Sequence, residues 1–171
     1  MDQDSELARR AAAGDAAAFA ALVRAHEAAV RRFLRRLAAD SGDDLAQETF
    51  LTAWRRAGHY RGAGRYRAWL MRIAWTTFLG AHRAGRRREA REGGVGPWQA
   101  PTDPDLAIDL DRVLATLSER ERAAALLCFG EGCSHAEAAE IMGLPLGTLK
   151  SIVARARAAL VERLEAGNDR G

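Results

Sequence analysis

Apolar residues recur along most of this chain at steps of three, four and seven, the spacing of helices that pack on one face, and no stretch alternates as a half-buried strand would. Phe19, Leu22, Val23, Val30, Phe33, Leu34 and Leu37 trace one such stripe. They predict an amphipathic helix over 16–39, about 36 Å long at a rise of about 1.5 Å per residue. Gly14-Asp15 supplies its start and Ser41-Gly42 its stop. A second helix begins near Asp43, where two acids favour the N-terminal dipole, and sets Ala46, Phe50, Ala53, Trp54 and Ala57 on one face before Gly58 ends it. After the loop Tyr60-Arg61-Gly62-Ala63-Gly64, a third helix runs from about Arg65 to Arg88, with Trp69, Leu70 and Ile73 as core.

From Glu89 to Asp105 the periodicity dissolves among Gly93, Gly94, Gly96, Pro97, Pro101 and Pro104, residues too unfavourable for a helix to continue. Four shorter helical segments follow, near 105–116, 118–130, 134–142 and 146–165. The pattern therefore predicts an all-α chain of two small helical domains, 1–88 and 106–171, joined by a flexible linker over 89–105.

Charge divides along the same lines. Residues 1–50 carry seven arginines against nine acids, residues 51–100 eleven arginines against two acids, and residues 101–171 eight basic against twelve acidic groups. A middle of net +9 between acidic ends points to a polyanion partner for the middle. All basic residues but Lys150 are arginine, which suits forked phosphate contacts and equally suits a GC-rich genome. No run of eighteen apolar residues exists and the first residues, through Glu6, are acidic, so neither membrane insertion nor export is expected. Two cysteines, Cys128 and Cys133, suit a reducing cytoplasm. No phosphate loop, nucleophile elbow, metalloprotease motif or carboxylate pair is present, so an enzyme and a cofactor are not expected. Cys128, Cys133 and His135 lack a fourth ligand for a metal.

The segment from Ser134 to Ser151 reads as a short helix, a turn at Gly143 and a second helix opened by Pro145. Leu149, Val153, Ala156, Leu160 and Leu164 share one face of that second helix, leaving Thr148, Ser151, Ile152 and Arg155 outward, where a recognition helix meets the major groove. A helical hairpin packed in a bundle has the same punctuation. Leu117-Ser118-Glu119-Arg120-Glu121-Arg122, followed by Ala138 through Ser151 and Arg155-Ala156-Arg157, resembles the fourth conserved region of extracytoplasmic-function (ECF, group IV) sigma factors. The resemblance implies that Thr148, Lys150, Ser151, Ile152, Arg155 and Arg157 contact the upstream promoter element, near minus thirty-five. Where that family usually places Arg, this chain has Ile152, an apolar residue that cannot donate to phosphate, so either the contact is absent or the residue meets a thymine methyl.

Asp43-Asp44-Leu45-Ala46-Gln47-Glu48-Thr49-Phe50-Leu51-Thr52-Ala53-Trp54-Arg55 resembles the same family's second region, which docks on the clamp helices of RNA polymerase core. Asp44, Gln47, Glu48 and Leu51 lie three or four apart, opposite Phe50 and Trp54, as an exposed polar stripe with one apolar member. Tyr60-Arg61-Gly62 and Arg65 through Trp75 resemble the promoter-melting stretch: cations to follow phosphates, rings to receive unstacked bases. Arg61, Arg65, Arg67, Arg72, Trp75, Thr76 and Arg83 are the candidates for that contact. Thr76 and Gly80 stand where the family has Asn and Asp, and Gly80 would allow a kink or a close approach. The resemblance as a whole implies a sigma factor that directs core polymerase to a few promoters, held inactive by an anti-sigma factor. The alternatives are a sigma-like decoy that sequesters an anti-sigma factor and an ordinary dimeric helix-turn-helix repressor.

Overall fold

The computed structural model describes residues 3–61, 65–92 and 107–168. Its chain divides into two compact units, Met1–Arg88 and Glu89–Gly171, and among the described residues every regular element is helical.

In the first unit α1 (Gln3–Ala12) lies against α2 (Ala16–Ala38), which in turn packs on α3 (Gly42–Arg55); α4 (Tyr66–Glu92) follows. The core is the stripe of α2, with Leu22, Val30, Phe33, Leu34 and Leu37 at most 1% exposed, joined by Ala46 and Ala53 of α3 and by Leu70, Met71, Ala74 and Phe78 of α4. Asp15 caps α2: its Oδ1 accepts from the Ala17 and Ala18 amides at 3.0 Å, while Oδ2 takes Arg10 Nη2 at 2.6 Å. The cap amides and then the Arg10 side chain hold this carboxyl below its usual range. Helix α1 lies outside the predicted elements, because the residues it buries are Ala8 and Ala11, too small to register as an apolar stripe.

Gly42 is not a helix stop. A short 3₁₀ turn, Ala39–Ser41, ends α2, and Gly42 opens α3 at a point where an added Cβ would stand 2.5 Å from the Arg35 Cα. Glycine is needed there so that two helix backbones can touch. Helix α3 stops at Arg55, ahead of Gly58, and a 3₁₀ turn, Ala57–His59, leads out of it. Helix α4 continues four residues past its expected end, through Glu92, and passes Gly80 unbroken. Among the described residues nothing lies within 4 Å of a Cβ built at Gly80. The remainder of the expected linker, 93–105, lies outside the described residues.

The second unit holds α5 (Ala107–Ala115), α6 (Glu119–Ala125), α7 (His135–Met142) and α8 (Leu146–Asn168), with α5, α6 and α7 each packed on α8. Two capping boxes start α6 and α7, Ser118 with Glu121 and Ser134 with Glu137, each reciprocal between side chain and backbone. Gly143, at φ +66°, closes α7 in the left-handed conformation and turns the chain into α8. Arg122, 5% exposed, spends its guanidinium on main-chain carbonyls: Nε donates to Leu114 at 2.9 Å, and Nη2 to Ala115 and Leu117 at 3.2 and 3.1 Å. It thus ties the end of α5 to α6, and burial lowers its pKa from the ordinary arginine value.

Candidate nucleic-acid and protein interfaces

On α3 the four predicted docking residues, Asp44, Gln47, Glu48 and Leu51, are all exposed, Leu51 by 51%. Trp54, expected on the packed face, is 37% exposed, and Phe50 is only half-buried. In the first turn of α2 the Phe19 ring packs against Trp54, at 4.9 Å between centroids with the ring planes tilted by 53°. Together these side chains line a groove of about 510 Å³ between α2 and α3, with Phe19, Val23, Phe50, Leu51 and Trp54 as its apolar wall and Glu27 and Arg31 at its rim. Asp43 fixes the two helices that form it, accepting from Arg35 Nε at 2.9 Å and Nη2 at 2.8 Å and from Arg31 Nη1 at 3.2 Å. Arg35 first, and Arg31 after it, lower the Asp43 pKa. An apolar trough beside acids and an amide can take a helix that is apolar on one face and basic at its margins.

Around the start of α4, Arg61, Arg65, Arg72, Thr76 and Arg83 are exposed and Arg67 is half-buried. Trp75 is a correction: it is 3% exposed and stacked on Phe78 at 5.6 Å, and it cannot meet a base. It falls on the buried arc with Met71, Ala74 and Phe78, at the three- and four-residue steps that face the core. Trp69, expected as core, is half-buried instead and completes an aromatic cluster with Tyr60 and Tyr66, whose centroids lie 5.5 and 5.4 Å from its own. The aromatic neighbours of the arginine loop are thus Tyr60 and Trp69. Tyr60, which heads the stretch resembling the melting motif but was not among its candidate residues, buries its hydroxyl with no hydrogen-bond partner among the described residues. The Thr76 hydroxyl bonds back to the Arg72 and Ile73 carbonyls at 3.0 Å. Beneath the cluster His26, 8% exposed, meets Asp4 at 2.8 Å between Nε2 and Oδ2 and sets its ring against Tyr66.

On α8, Thr148, Lys150, Ser151, Arg155 and Arg157 are exposed. Ile152 is the second correction: at 5% exposure it belongs to the buried arc with Leu149, Val153 and Ala156. Its apolar side chain is there because the α8 face packed against the rest of the unit is wider than a single row. Helical register gathers Thr148, Ser151 and Arg155 on one edge and puts Lys150 and Arg157 on the other. Arg155 Nε lies 3.2 Å from Glu121 Oε1, so the box that caps α6 also orients this arginine. Lys150 and Arg157 border a second groove, about 650 Å³, with Phe129, Val153 and Val161. Phe129 and Val161 are 53% and 45% exposed; the motif reading passed over both, although Val161 lies off the apolar stripe and was visible as such. Leu160 is half-buried, and the Leu164 side chain lies outside the described residues.

Among the described residues no three His, Cys, Asp or Glu side chains gather as a metal site requires, and no helix is long and apolar enough to cross a membrane.

Comparison with known proteins agrees with this layout. The family model Sigma-70 region 2 matches residues 22–88, and Sigma-70, region 4 matches residues 107–160. The chain is similar to the RNA polymerase sigma-H factor of Pseudomonas aeruginosa, at 31% identity over 96% of this chain and 95% of that one. It is also similar to the ECF RNA polymerase sigma factor SigC of Mycobacterium tuberculosis, at 35% over 93% and 90%. Two solved structures resemble it: CnrH in complex with the cytosolic domain of CnrY (TM-score 0.74, 29% identity, 96% of this chain and 99% of that one), and the sigma factor RpoE in complex with the anti-sigma factor NepR from Bartonella quintana (TM-score 0.81, 31%, 86% and 96%).

Proposed function

The chain belongs to the sigma-70 family, in its extracytoplasmic-function group, and from that premise we propose how its surfaces divide the work of promoter-specific transcription initiation. The protein is an RNA polymerase sigma factor. Its first unit docks on core polymerase through Asp44, Gln47, Glu48 and Leu51, with the α2–α3 groove receiving the apolar face of a clamp helix. The observation that carries this reading is Leu51, half exposed beside a trough of Phe19, Phe50 and Trp54 that the unit itself leaves open.

Arg61, Arg65, Arg67, Arg72 and Arg83 follow the phosphates of the downstream element, and Tyr60 and Trp69 take the place given to Trp75 as the rings beside an unstacked base. Promoter opening in this scheme needs no covalent chemistry from the sigma factor. In the second unit Thr148, Ser151 and Arg155 face the upstream element as one cluster, while Lys150 and Arg157 flank it from the other edge of the recognition helix. The solved relatives were captured with CnrY and with the anti-sigma factor NepR; a partner of that kind, covering the α2–α3 groove, would keep this chain from core until released. The protein then works in the cytoplasm, where the polymerase is.

The test is transcription from fragmented genomic DNA with purified bacterial core polymerase plus this protein. Discrete new start sites are the expected result. Core binding without transcripts would place the defect at Thr76 and Gly80, and absence of core binding would favour the decoy.

A further inference from the structure

The turn that carries the chain from α6 into α7 begins and ends with a thiol. Cys128 and Cys133 are both half-buried thiols, and the sequence contains no other cysteine. Past Ala125 the helix widens into a π turn, Leu126–Gly130, in which the Glu131 amide donates to the Leu126 carbonyl at 2.9 Å. Gly132, at φ +67°, then reverses the chain, and the Cys133 amide donates to the Leu127 carbonyl, also at 2.9 Å. That carbonyl belongs to the peptide unit that joins Leu127 to Cys128. The hydrogen bond and the covalent bonds on either side of it keep the two cysteine Cα atoms within about 7 Å, inside the outer limit of separation across a disulfide.

We propose that Cys128 and Cys133 form a reversible oxidation site, closing an intramolecular disulfide by exchange with low-molecular-weight disulfides. Burial, and the charge that a Cys133 thiolate would add beside it, push the Cys128 thiol up to about 11, so the first attack comes from Cys133. Its thiolate attacks one sulfur of the oxidant, forms a mixed disulfide and expels one thiolate. Cys128 then gives its proton to solvent and attacks Cys133 Sγ, which forms the protein disulfide and expels the second thiolate. Two protein thiols are oxidised by two electrons, and one small disulfide is reduced to two thiols that take up the two protons. The new ring encloses Phe129, Gly130, Glu131 and Gly132 and ends one residue before Ser134, the side chain that caps α7. Oxidation therefore staples α6 to the first helix of the helix-turn-helix. This inference is independent of the promoter reading.

The full chain, natively folded, is equilibrated in buffers of varied reduced and oxidised glutathione, quenched with acid and alkylated with iodoacetamide. The tryptic fragment from Ala123 to Lys150 contains both cysteines, so it should appear two hydrogen atoms lighter and unalkylated, in protein that remains monomeric on a non-reducing gel. The ratio of oxidised to reduced protein should follow the concentration of glutathione disulfide over the square of that of glutathione, and the thermal midpoint should rise on oxidation. Cys128→Ser should stop at one glutathione on Cys133, and Cys133→Ser should leave Cys128 unmodified. Stable glutathione adducts on both residues, interchain dimers, a lowered thermal midpoint or oxidation seen only in denaturant would each overturn the proposal.

Discussion

The Tyr66 side chain, 3% exposed, is enclosed by His26, Tyr60 and Trp69, and its ionisation is opposed first by desolvation and then by the Asp4 carboxylate. Its folded pKa is raised above the ordinary tyrosine value, so the stability it carries is complete below about pH 10 and is lost as pH rises beyond that. Urea unfolding of the first unit, followed by Trp fluorescence from about pH 8 to about pH 11, should show stability falling at the alkaline end. Tyr66→Phe keeps the ring contacts and should flatten that fall. An equal fall in both proteins would clear Tyr66 of the effect. Ile152 invites a test of the opposite kind. As a core residue, its truncation to alanine should destabilise the second unit by about 2–5 kcal/mol in urea, whereas Ser151→Ala, one residue away and exposed, should leave the midpoint in place. Both Ile152 and Trp75 were legible in the sequence only as helical positions. The spacing of α8 put Ile152 outward, off the row of Leu149, Val153 and Ala156, and the width of the buried arc, which decides the matter, depends on how closely α8 and α4 are covered by other elements.

Among the elements, those with large apolar side chains were legible from spacing alone: α2 through Phe33 and Leu37, α4 through Leu70 and Phe78. Helix α1 was not, since it buries alanines, and its place is decided by a partner far along the chain, Asp4 on His26, and by a near one, Arg10 on Asp15. Gly42 had a plausible local meaning, a helix stop, and a different one in three dimensions. Gly42→Ala puts a methyl 2.5 Å from the Arg35 Cα and 2.7 Å from its amide nitrogen, both main-chain atoms that cannot swing aside. The α2–α3 pair must part slightly, a loss of about 1–3 kcal/mol by the usual cost of overpacking, and the thermal midpoint of the first unit reports it. The same pair bounds the docking groove. Leu51→Asp, at an exposed position, should leave that midpoint within a degree or two, at about ±0.5 kcal/mol, and remove core binding in a pull-down with purified polymerase. If Leu51→Asp still binds core as the parent does, the polymerase-docking surface lies elsewhere than α3.

At the scale of the whole molecule, each unit has its own core, and the proposed work requires that they hold two promoter elements at once. The seventeen residues 89–105, fully extended, would reach about 60 Å. Since α4 continues through Glu92, four of them advance at the helical rise, and the reach falls to about 50 Å. A tether of that kind has an asymmetric tolerance. Inserting ten Gly and Ser residues after Pro97 less than doubles its length, a closure penalty of at most about 0.6 kcal/mol or roughly threefold in initiation. Deleting ten residues from 94–103 leaves about 17 Å of reach, short of two elements a few helical turns of duplex apart, so promoter-specific transcripts should disappear. In that deletion variant, core pull-down and binding to an isolated upstream-element duplex should both survive, because neither unit has lost a residue of its described core. A deletion variant that initiates as well as the parent would mean that the second unit's DNA contact does not operate at the same time as the first's.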